Sequence, residues 1–323
     1  MKTITSLVML LLLCSAPACA QDMSSHSNHA TASPAADTNE TQEWARQRLA
    51  KSSRHQEWVK IKNGAREVNS FVVYPEVKNK ATAVIVIHEI FGMTDWVQSL
   101  TDQLAEAGYI AIAPDLLSGM GPNGGGTSSL TGNNAVGQAI RDLPPDQITA
   151  DLNAVAAYVS KLPASNGKIV VTGYCWGGSQ SFRYATNNPN VKAAFVFYGS
   201  APSATAQGQD PWQPDKTALA KIQAPVYGFY AGNDARINAT LPATAAAMTE
   251  LKKTFDQVTY EGAGHGFMRA GDAPEPVAPQ PKGEKEADDK AAADYQKSLT
   301  QWKANKKARD EAWARWKKIL ARI

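Results

Sequence analysis

Short apolar segments alternate with longer segments of helical character between residues 83 and 260. The first, in "ATAVIVIHEIFG", is an uninterrupted apolar run at residues 83–87, typical of a strand buried on both faces of a parallel sheet. "WVQSLTDQLAEAG" then spaces apolar residues three and four positions apart, as an amphipathic helix does. Further apolar segments follow in "YIAIAPDLL", "KIVVT", "VKAAFVFYGS", "APVYGFYAG" and "FDQVTYEG". The alternation predicts an α/β fold, a mostly parallel sheet with helices on both faces and ligands at the carboxyl ends of its strands.

Turn signals and composition indicate the remaining elements of this region. "EWVKIK" and "VNSFVVYP" flank Asn63-Gly64, a composition that predicts a β-hairpin ahead of the alternating segments. Residues 118–135 are rich in Gly, Ser and Asn and predict a loop, whereas residues 145–162 and 243–253 predict helices. We therefore expect residues 53–270 to form one α/β domain.

Two extensions flank this domain. Residues 21–52 contain many Ser, Ala, Thr, Asn and Asp and predict a flexible linker with a short helix. Residues 271–289, "GDAPEPVAPQPKGEKEADD", predict a Pro-rich, charged linker. Residues 290–323 predict a long amphipathic helix with many Lys and Arg on one face; its apolar residues are Tyr295, Leu299, Trp302, Trp313, Trp316 and Leu320. This helix either packs against the domain or contacts an anionic membrane or a partner.

The first 20 residues have the pattern of an export signal. Lys2 precedes an apolar run at residues 4–13, and small residues at positions 18–20 come before Gln21, which predicts cleavage after Ala20. The run is shorter than the roughly 20 residues that a membrane-spanning helix needs. The pattern predicts an exported, periplasmic protein, with a lipoprotein modified at Cys19 as the alternative.

The cysteine content isolates one residue. Cys14 and Cys19 lie in the predicted signal, so Cys175 has no disulfide partner within the mature domain. Unpaired cysteines are often buried and inert. Cys175 is therefore either a structural thiol or a reactive one.

The surroundings of Cys175 favour the reactive interpretation. "KIVVTGYCWGGSQS" places Cys175 between a predicted strand and a predicted helix, with Gly173 and Gly177 on either side. Gly-x-Cys-x-Gly has the form of a nucleophile elbow, a strained turn that exposes its central residue in a cleft. A helix N-terminus and a nearby histidine would lower the pKa of the thiol and produce the nucleophilic thiolate.

Two partners follow in the chain order that such sites use, which is nucleophile, acid, histidine. "YAGNDARI" places Asp234 after a predicted strand, and "EGAGHGFMR" places His265 in a Gly-rich loop after the last strand. Taken alone, Asp234 could be a turn residue and His265 a surface loop residue. Because the three residues each follow a strand of one sheet, we expect a Cys-Asp-His triad.

"HEIFG" supplies further candidates at the end of the strand at residues 83–87. Glu89 would face the same cleft, either as part of the site or as a simple turn carboxylate. In α/β-hydrolases the backbone N–H that follows the nucleophile and one from this region bind the oxyanion. The N–H groups of Trp176 and Ile90 are therefore the predicted oxyanion donors.

Together "HEIFG", "GYCWGG", "AGNDARI" and "GAGHGFMR" resemble the motifs of the dienelactone hydrolase (carboxymethylenebutenolidase) family over residues 57–270. The resemblance implies the α/β-hydrolase fold, here with an added C-terminal helix. The site residues that it implies are Cys175 as nucleophile, His265 as base, Asp234 as the acid that orients it, Glu89 in contact with the thiol and taking part in its activation, and Arg269 as the ligand of a substrate carboxylate.

These features predict an exported hydrolase that cleaves a small ester or lactone through a thioester acyl-enzyme. The chemistry requires no metal and no organic cofactor. A net charge of +3 without a nucleic-acid-binding motif indicates no nucleic-acid partner, and the sequence does not indicate an oligomeric state. The alternative is a non-catalytic or redox-active thiol protein on the same scaffold, which would need neither Asp234 nor His265.

Overall fold

The computed structural model describes residues 42–205 and 211–323; the predicted export signal and residues 21–41 of the predicted linker lie outside these ranges. The strands are Gln56–Asn63 (β1), Arg66–Val73 (β2), Ala81–Ile87 (β3), Ile110–Pro114 (β4), Ser165–Tyr174 (β5), Ala194–Phe197 (β6), Val226–Ala231 (β7) and Phe255–Tyr260 (β8). The helices are Glu43–Ala50 (α1), Asp95–Glu106 (α2), Gly132–Arg141 (α3), Pro145–Ser160 (α4), Trp176–Asn187 (α5), Lys216–Leu219 (α6), Ala235–Asn238 (α7), Leu241–Glu250 (α8) and Lys285–Leu320 (α9).

The strands form one sheet in the order β1-β2-β4-β3-β5-β6-β7-β8. The predicted hairpin is present as the antiparallel pair β1 and β2, and β2 also pairs antiparallel with β4. All remaining pairs are parallel. The predicted α/β-hydrolase fold, with its mostly parallel sheet and added C-terminal helix, is confirmed.

Helices cover both faces of the sheet. All seven residues of β3 are buried, and alternate side chains of a strand point to opposite faces. Ile85 accordingly packs in one cluster with Leu152 of α4, whereas Val84 packs in a second cluster with Leu100 of α2. Burial on both faces explains why this segment is apolar throughout rather than alternating.

The register of the central strands brings several chain segments to one edge of the sheet. Ile87 at the end of β3 pairs with Gly173 of β5, and Tyr174 pairs with Phe197 at the end of β6. At the end of β7, Ala231 pairs with Tyr260 of β8. Because these parallel strands end at similar levels, the residues that follow them meet there.

Part of the predicted loop at residues 118–135 is helical. It contains short 3-10 turns at Pro122–Gly124 and Thr127–Ser129, and α3 begins within it at Gly132. Gly and Asn are weak helix formers, so the residues that open α3 hide its start. The buried carboxylate of Asp115 fixes the preceding segment by accepting hydrogen bonds from the Thr127 backbone N–H (2.8 Å) and hydroxyl (2.7 Å).

The predicted boundary at residue 290 is wrong, because α9 begins at Lys285 and the linker from residue 271 ends at residue 284. The carboxylate of Asp288 accepts hydrogen bonds from the backbone N–H groups of Lys282 (2.8 Å) and Gly283 (3.0 Å) at this helix start. Acidic residues stabilise the first turn of a helix, so residues 285–289, which the sequence assigned to the linker, belong to α9.

The C-terminal half of α9 packs against the sheet. Ala308, Ala312, Trp316 and Leu320 are buried at spacings of one helical turn. The Trp316 ring lies edge-on to Phe195 and Phe197, with centroid distances of 5.8 and 5.5 Å. Within residues 42–205 and 211–323, no helix has both the length and the apolar composition to cross a membrane.

Candidate active site

Cys175 lies on a strained turn between β5 and α5. Its backbone has φ 56° and ψ −118°, a conformation that side-chain-bearing residues rarely adopt and that costs about 1–3 kcal/mol. Backbone hydrogen bonds hold the turn: the Cys175 N–H donates to the Phe197 carbonyl (3.1 Å), and the Ser179 N–H donates to the Cys175 carbonyl (3.2 Å). The side chain is partly exposed and the sulfur forms no disulfide, so the turn presents a free thiol at the edge of the sheet.

The two glycines beside Cys175 permit close backbone contacts. A Cβ atom on Gly173 would overlap the carbonyl of Gly177, and a Cβ atom on Gly177 would overlap the carbonyls of Ile87 and His88. The start of α5 therefore presses directly against the end of β3. No side chain larger than hydrogen fits at either position without moving the backbone.

The structure brings Asp234 and His265 together beside Cys175. Asp234 follows β7, and His265 lies in the loop after β8. The His265 Nδ1 and Asp234 Oδ2 atoms are 2.5 Å apart. Since Nδ1 contacts Asp234, Nε2 remains for the hydrogen bond that His265 shares with Cys175. The three side chains thus form a continuous chain of contacts from acid to imidazole to thiol.

The ionised forms of Cys175, His265 and Asp234 stabilise one another. Burial opposes ionisation of the Cys175 thiol, but the hydrogen bond and positive charge of His265 outweigh it and lower the pKa of Cys175. Burial also opposes the charged form of His265, yet hydrogen bonds to Asp234 and Cys175 raise the pKa of His265 to about 10. For Asp234, burial is outweighed by His265 and by the Ile237 N–H, which lower the pKa of its carboxyl. The arrangement favours a thiolate and an imidazolium together.

Glu89 and Arg269 form a buried ion pair next to the thiol. Arg269 Nε is 2.8 Å from Glu89 Oε2, and Arg269 Nη2 donates to Glu89 Oε1 at 3.4 Å. Only 2% of Glu89 is exposed. Glu89 is therefore a buried, ion-paired carboxylate, and its part in activating the thiol stays a prediction. The substrate-carboxylate role implied for Arg269 stays a prediction, because Glu89 already contacts this guanidinium.

Tyr198 is a residue of the site that the sequence reasoning missed. It follows β6 with φ 40°, its buried hydroxyl lies near the Glu89 carboxyl and affects the pKa of that group, and its ring lies against His265 with a centroid distance of 5.0 Å. Burial and the nearby Cys175 raise the pKa of Glu89 well above its usual range, against the opposing effects of His265 and Tyr198. Its position in the sequence could have indicated a place in the site, because Tyr198 directly follows the end of a strand, as Cys175 does.

The predicted oxyanion donors leave adjacent strands at the same level. Ile87 of β3 pairs with Gly173 of β5. Ile90 lies three residues after Ile87, and Trp176 lies three residues after Gly173. The buried His88 helps fix this region: its Nδ1 donates to the Glu89 carbonyl (2.9 Å) and its Nε2 accepts from the Leu116 N–H (3.3 Å). Oxyanion binding by Ile90 and Trp176 stays a prediction. Within the described residues, no three His, Cys, Asp or Glu side chains form a group that could hold a metal ion.

Comparison with known sequences gives a family match and distant relatives. The model of the "Dienelactone hydrolase family" matches residues 68–323. A protein from Methylorubrum extorquens named "Putative carboxymethylenebutenolidase" is 34% identical over 187 residues, 57% of this chain and 62% of that protein. A protein of the same name from Saccharolobus solfataricus is 28% identical over 292 residues, 80% of this chain and 95% of that protein. The Methylorubrum alignment thus covers less than two thirds of that relative.

Solved structures share the fold. A "Putative Dienelactone Hydrolase" from Klebsiella pneumoniae superposes with a TM-score of 0.59 at 24% identity, covering 78% of this chain and 99% of that chain. An acylaminoacyl peptidase superposes with a TM-score of 0.51 at 17% identity, covering 68% of this chain and 39% of that chain. At these identities the likeness concerns the arrangement of strands and helices.

Proposed function

The chain belongs to the dienelactone hydrolase family, and we propose that it hydrolyses a small ester or lactone with Cys175 as nucleophile. The observation that carries the proposal is the chain of contacts from Asp234 through His265 to the Cys175 thiol. A redox or structural thiol has no need for an imidazole held by a carboxylate, whereas a nucleophile needs both. Sequence relatives named as carboxymethylenebutenolidases support a lactone or ester as the substrate class.

The first half of the reaction forms a thioester. The Cys175 thiolate attacks the carbonyl carbon, a C–S bond forms, and the carbonyl π electrons move to oxygen. The Ile90 and Trp176 N–H groups are the proposed donors to this oxyanion. When the oxyanion collapses, the C–O bond to the leaving group breaks, and the His265 imidazolium gives its proton to the departing oxygen. For a lactone, the leaving oxygen stays attached to the acyl chain.

The second half releases the acid. Neutral His265 accepts a proton from water at Nε2, and the resulting hydroxide attacks the thioester carbonyl. The C–S bond breaks, and Cys175 leaves as the thiolate that began the cycle, opposite a His265 imidazolium again. Asp234 keeps its negative charge throughout and stabilises the imidazolium through Nδ1. The net reaction consumes one water and yields an acid and a hydroxyl group.

The pH dependence of hydrolysis tests this scheme. With a short activated aryl ester, kcat/KM is expected to follow a bell-shaped profile. Its acid limb should lie below the usual thiol pKa, because His265 lowers the pKa of Cys175. Its alkaline limb should lie near pH 10, because the imidazolium is lost as pH rises through the raised pKa of His265, about 10. Both limbs are macroscopic values of the coupled pair.

The measurement is the initial rate of aryl-alcohol release by the purified protein between pH 5 and 11, with circular dichroism at each pH to exclude unfolding. A protein that is folded over this range and releases no aryl alcohol contradicts the hydrolase proposal. It would favour the alternative, a redox-active or non-catalytic thiol, which thiol titration and disulfide-exchange assays then distinguish.

We also propose that the protein is exported and acts in the periplasm. The support is the basic residue Lys2, the apolar run at residues 4–13 and the small residues before Gln21. Protein from the periplasmic fraction is expected to begin at Gln21 when its N-terminus is sequenced. An N-terminal, lipid-modified Cys19 would instead indicate the lipoprotein alternative, and a cytoplasmic protein that keeps residues 1–20 contradicts export.

A further inference from the structure

His265 lies in a loop with little intrinsic rigidity. The loop "GAGHG" has glycine at three of its five positions, and Gly262 and Gly266 adopt φ values of 73° and 79°. Glycine has more backbone conformations to lose on ordering than any other residue. The 2.5 Å contact between His265 and Asp234 therefore requires that other parts of the molecule hold this loop in place.

Side chains of α9 hold the loop through its backbone. Asn305 Oδ1 accepts a hydrogen bond from the N–H of Gly264 at 2.8 Å, directly before His265. Gln301, one turn earlier on α9, donates from Nε2 to the Gly262 carbonyl at 3.0 Å and to Asn305 Oδ1 at 2.9 Å. Two residues on consecutive turns of α9 thus each hydrogen-bond one backbone group of residues 262–266, the histidine loop.

The residue before Asp234 joins the same network. The Asn233 side chain donates from Nδ2 to the Gly262 carbonyl at 2.9 Å and to Gln301 Oε1 at 3.5 Å. Its backbone N–H donates to the Ala263 carbonyl at 2.8 Å. We call the side chains of Asn233, Gln301 and Asn305 the amide cluster. The cluster connects two backbone segments to α9: the one directly before Asp234 and the one directly before His265.

The helix that carries two members of the amide cluster is itself fixed. Trp316 and its buried neighbours pack α9 on the sheet, and Arg309 Nη2 donates to Gln103 Oε1 of α2 at 2.5 Å. The Arg309 side chain also lies close to Gly271, the last residue of the 3-10 turn Phe267–Gly271 that follows the histidine loop. The amide cluster is thus attached to a helix that is packed on the sheet and hydrogen-bonded to α2.

We propose that the amide cluster positions His265 and Asp234, and that Asn305 is its principal positioning residue. None of the three amides needs to touch the substrate; each acts through the backbone beside a triad member. This role presupposes the nucleophilic chemistry proposed above, since a correctly placed imidazole matters only if it serves the Cys175 thiol. A displacement of about 1 Å in such a group can reduce a rate by about a hundredfold.

The test replaces Asn305 with alanine and follows the Cys175 thiol directly. The rate of alkylation of the peptide that contains Cys175 is measured with iodoacetamide against pH, by mass spectrometry on the full chain. In Asn305→Ala, the midpoint of this profile is expected to move upward, toward the ordinary thiol pKa of about 8.5. The value of kcat/KM for an aryl ester is expected to fall about tenfold to a hundredfold.

Three further variants separate positioning from general damage. Asn305→Asp keeps the acceptor oxygen that both contacts of Asn305 use but adds a negative charge, so the midpoint should shift less than in Asn305→Ala, and kcat/KM should stay closer to the wild-type value. Gln296→Ala changes an exposed amide on the same helix and should leave both readouts unchanged. Gln301→Ala removes the side-chain donor to the Gly262 carbonyl and to Asn305 Oδ1. It should shift the profile in the same direction as Asn305→Ala, and it provides the test if Asn305→Ala does not fold.

A wild-type alkylation profile in folded Asn305→Ala or Gln301→Ala overturns the proposal. So does an equal shift in Gln296→Ala, which would mark a general effect of altering α9. Because alkylation needs no turnover, the result stands apart from the proposed function. A wild-type protein that hydrolyses no ester, but whose Cys175 midpoint moves in Asn305→Ala, contradicts the hydrolase proposal and supports the positioning role.

Discussion

Replacing Cys175 with alanine is expected to reduce kcat for an activated aryl ester by about 10⁴-fold to 10⁶-fold, the range found when a catalytic nucleophile is removed. Alanine cannot form the thioester, so only the oxyanion donors and substrate binding remain. The fold should survive, because the substitution removes one partly exposed sulfur atom and leaves the backbone bonds of the turn in place. Burst and steady-state aryl-alcohol release measure the effect.

Two variants serve as controls for Cys175→Ala. Ser181→Ala removes a buried hydroxyl from the same helix, α5, and should keep wild-type turnover. Cys175→Ser keeps a nucleophile of similar size, but its hydroxyl does not ionise near neutral pH, so the thiolate–imidazolium pair cannot form. Its kcat should lie well below that of the wild type. Turnover retained in Cys175→Ala would exclude covalent catalysis by this residue.

Replacing Asp234 with asparagine is expected to lower kcat by about 10²-fold to 10⁴-fold. The carboxylate lies 2.5 Å from His265 Nδ1 and holds a proton there, which leaves Nε2 to exchange protons with the thiol and water. An amide NH₂ group favours the opposite tautomer, with the proton on Nε2. It also removes the negative charge that raises the pKa of His265. The alkaline limb of the pH profile should therefore move to lower pH.

The chain offers a matched control for this change. Asp234 also caps α7, because its Oδ1 accepts a hydrogen bond from the Ile237 N–H; asparagine retains this acceptor. Asp215 caps α6 in the same way through the Ala218 N–H. Asp215→Asn should leave kcat and the pH profile unchanged. Equal losses in both variants would mean that a weakened helix cap explains the effect rather than the orientation of His265.

Local signals in the sequence were enough to predict the fold class and to select the residues that meet at the sheet edge. Apolar runs identify buried strands because burial on both faces requires them, and the ends of such strands coincide in a parallel sheet. Cys175, Asp234 and His265 were selected by that rule together with glycine-rich turns. The structure brings the three side chains into contact, and their catalytic roles stay predictions.

Features that depend on distant contacts were not predictable in this way. The pairing of Glu89 with Arg269 joins residues 180 positions apart, and no local pattern encodes it. Tyr198 was taken for an ordinary strand residue because aromatic residues are frequent in strands. The start of α3 was hidden by Gly and Asn residues whose weak helix propensity is overridden by packing of Val136 and Ile140.

The place of α9 in the chain has a consequence for the order of folding. Trp316 covers the aromatic side chains of β6, yet it is synthesised 119 residues after Phe197. Until it is available, the sheet can form but one of its faces keeps Phe195 and Phe197 uncovered, a surface of the kind that chaperones bind and that drives aggregation. We expect nascent chains that stop before α9 to collect as insoluble or chaperone-bound species rather than as folded intermediates.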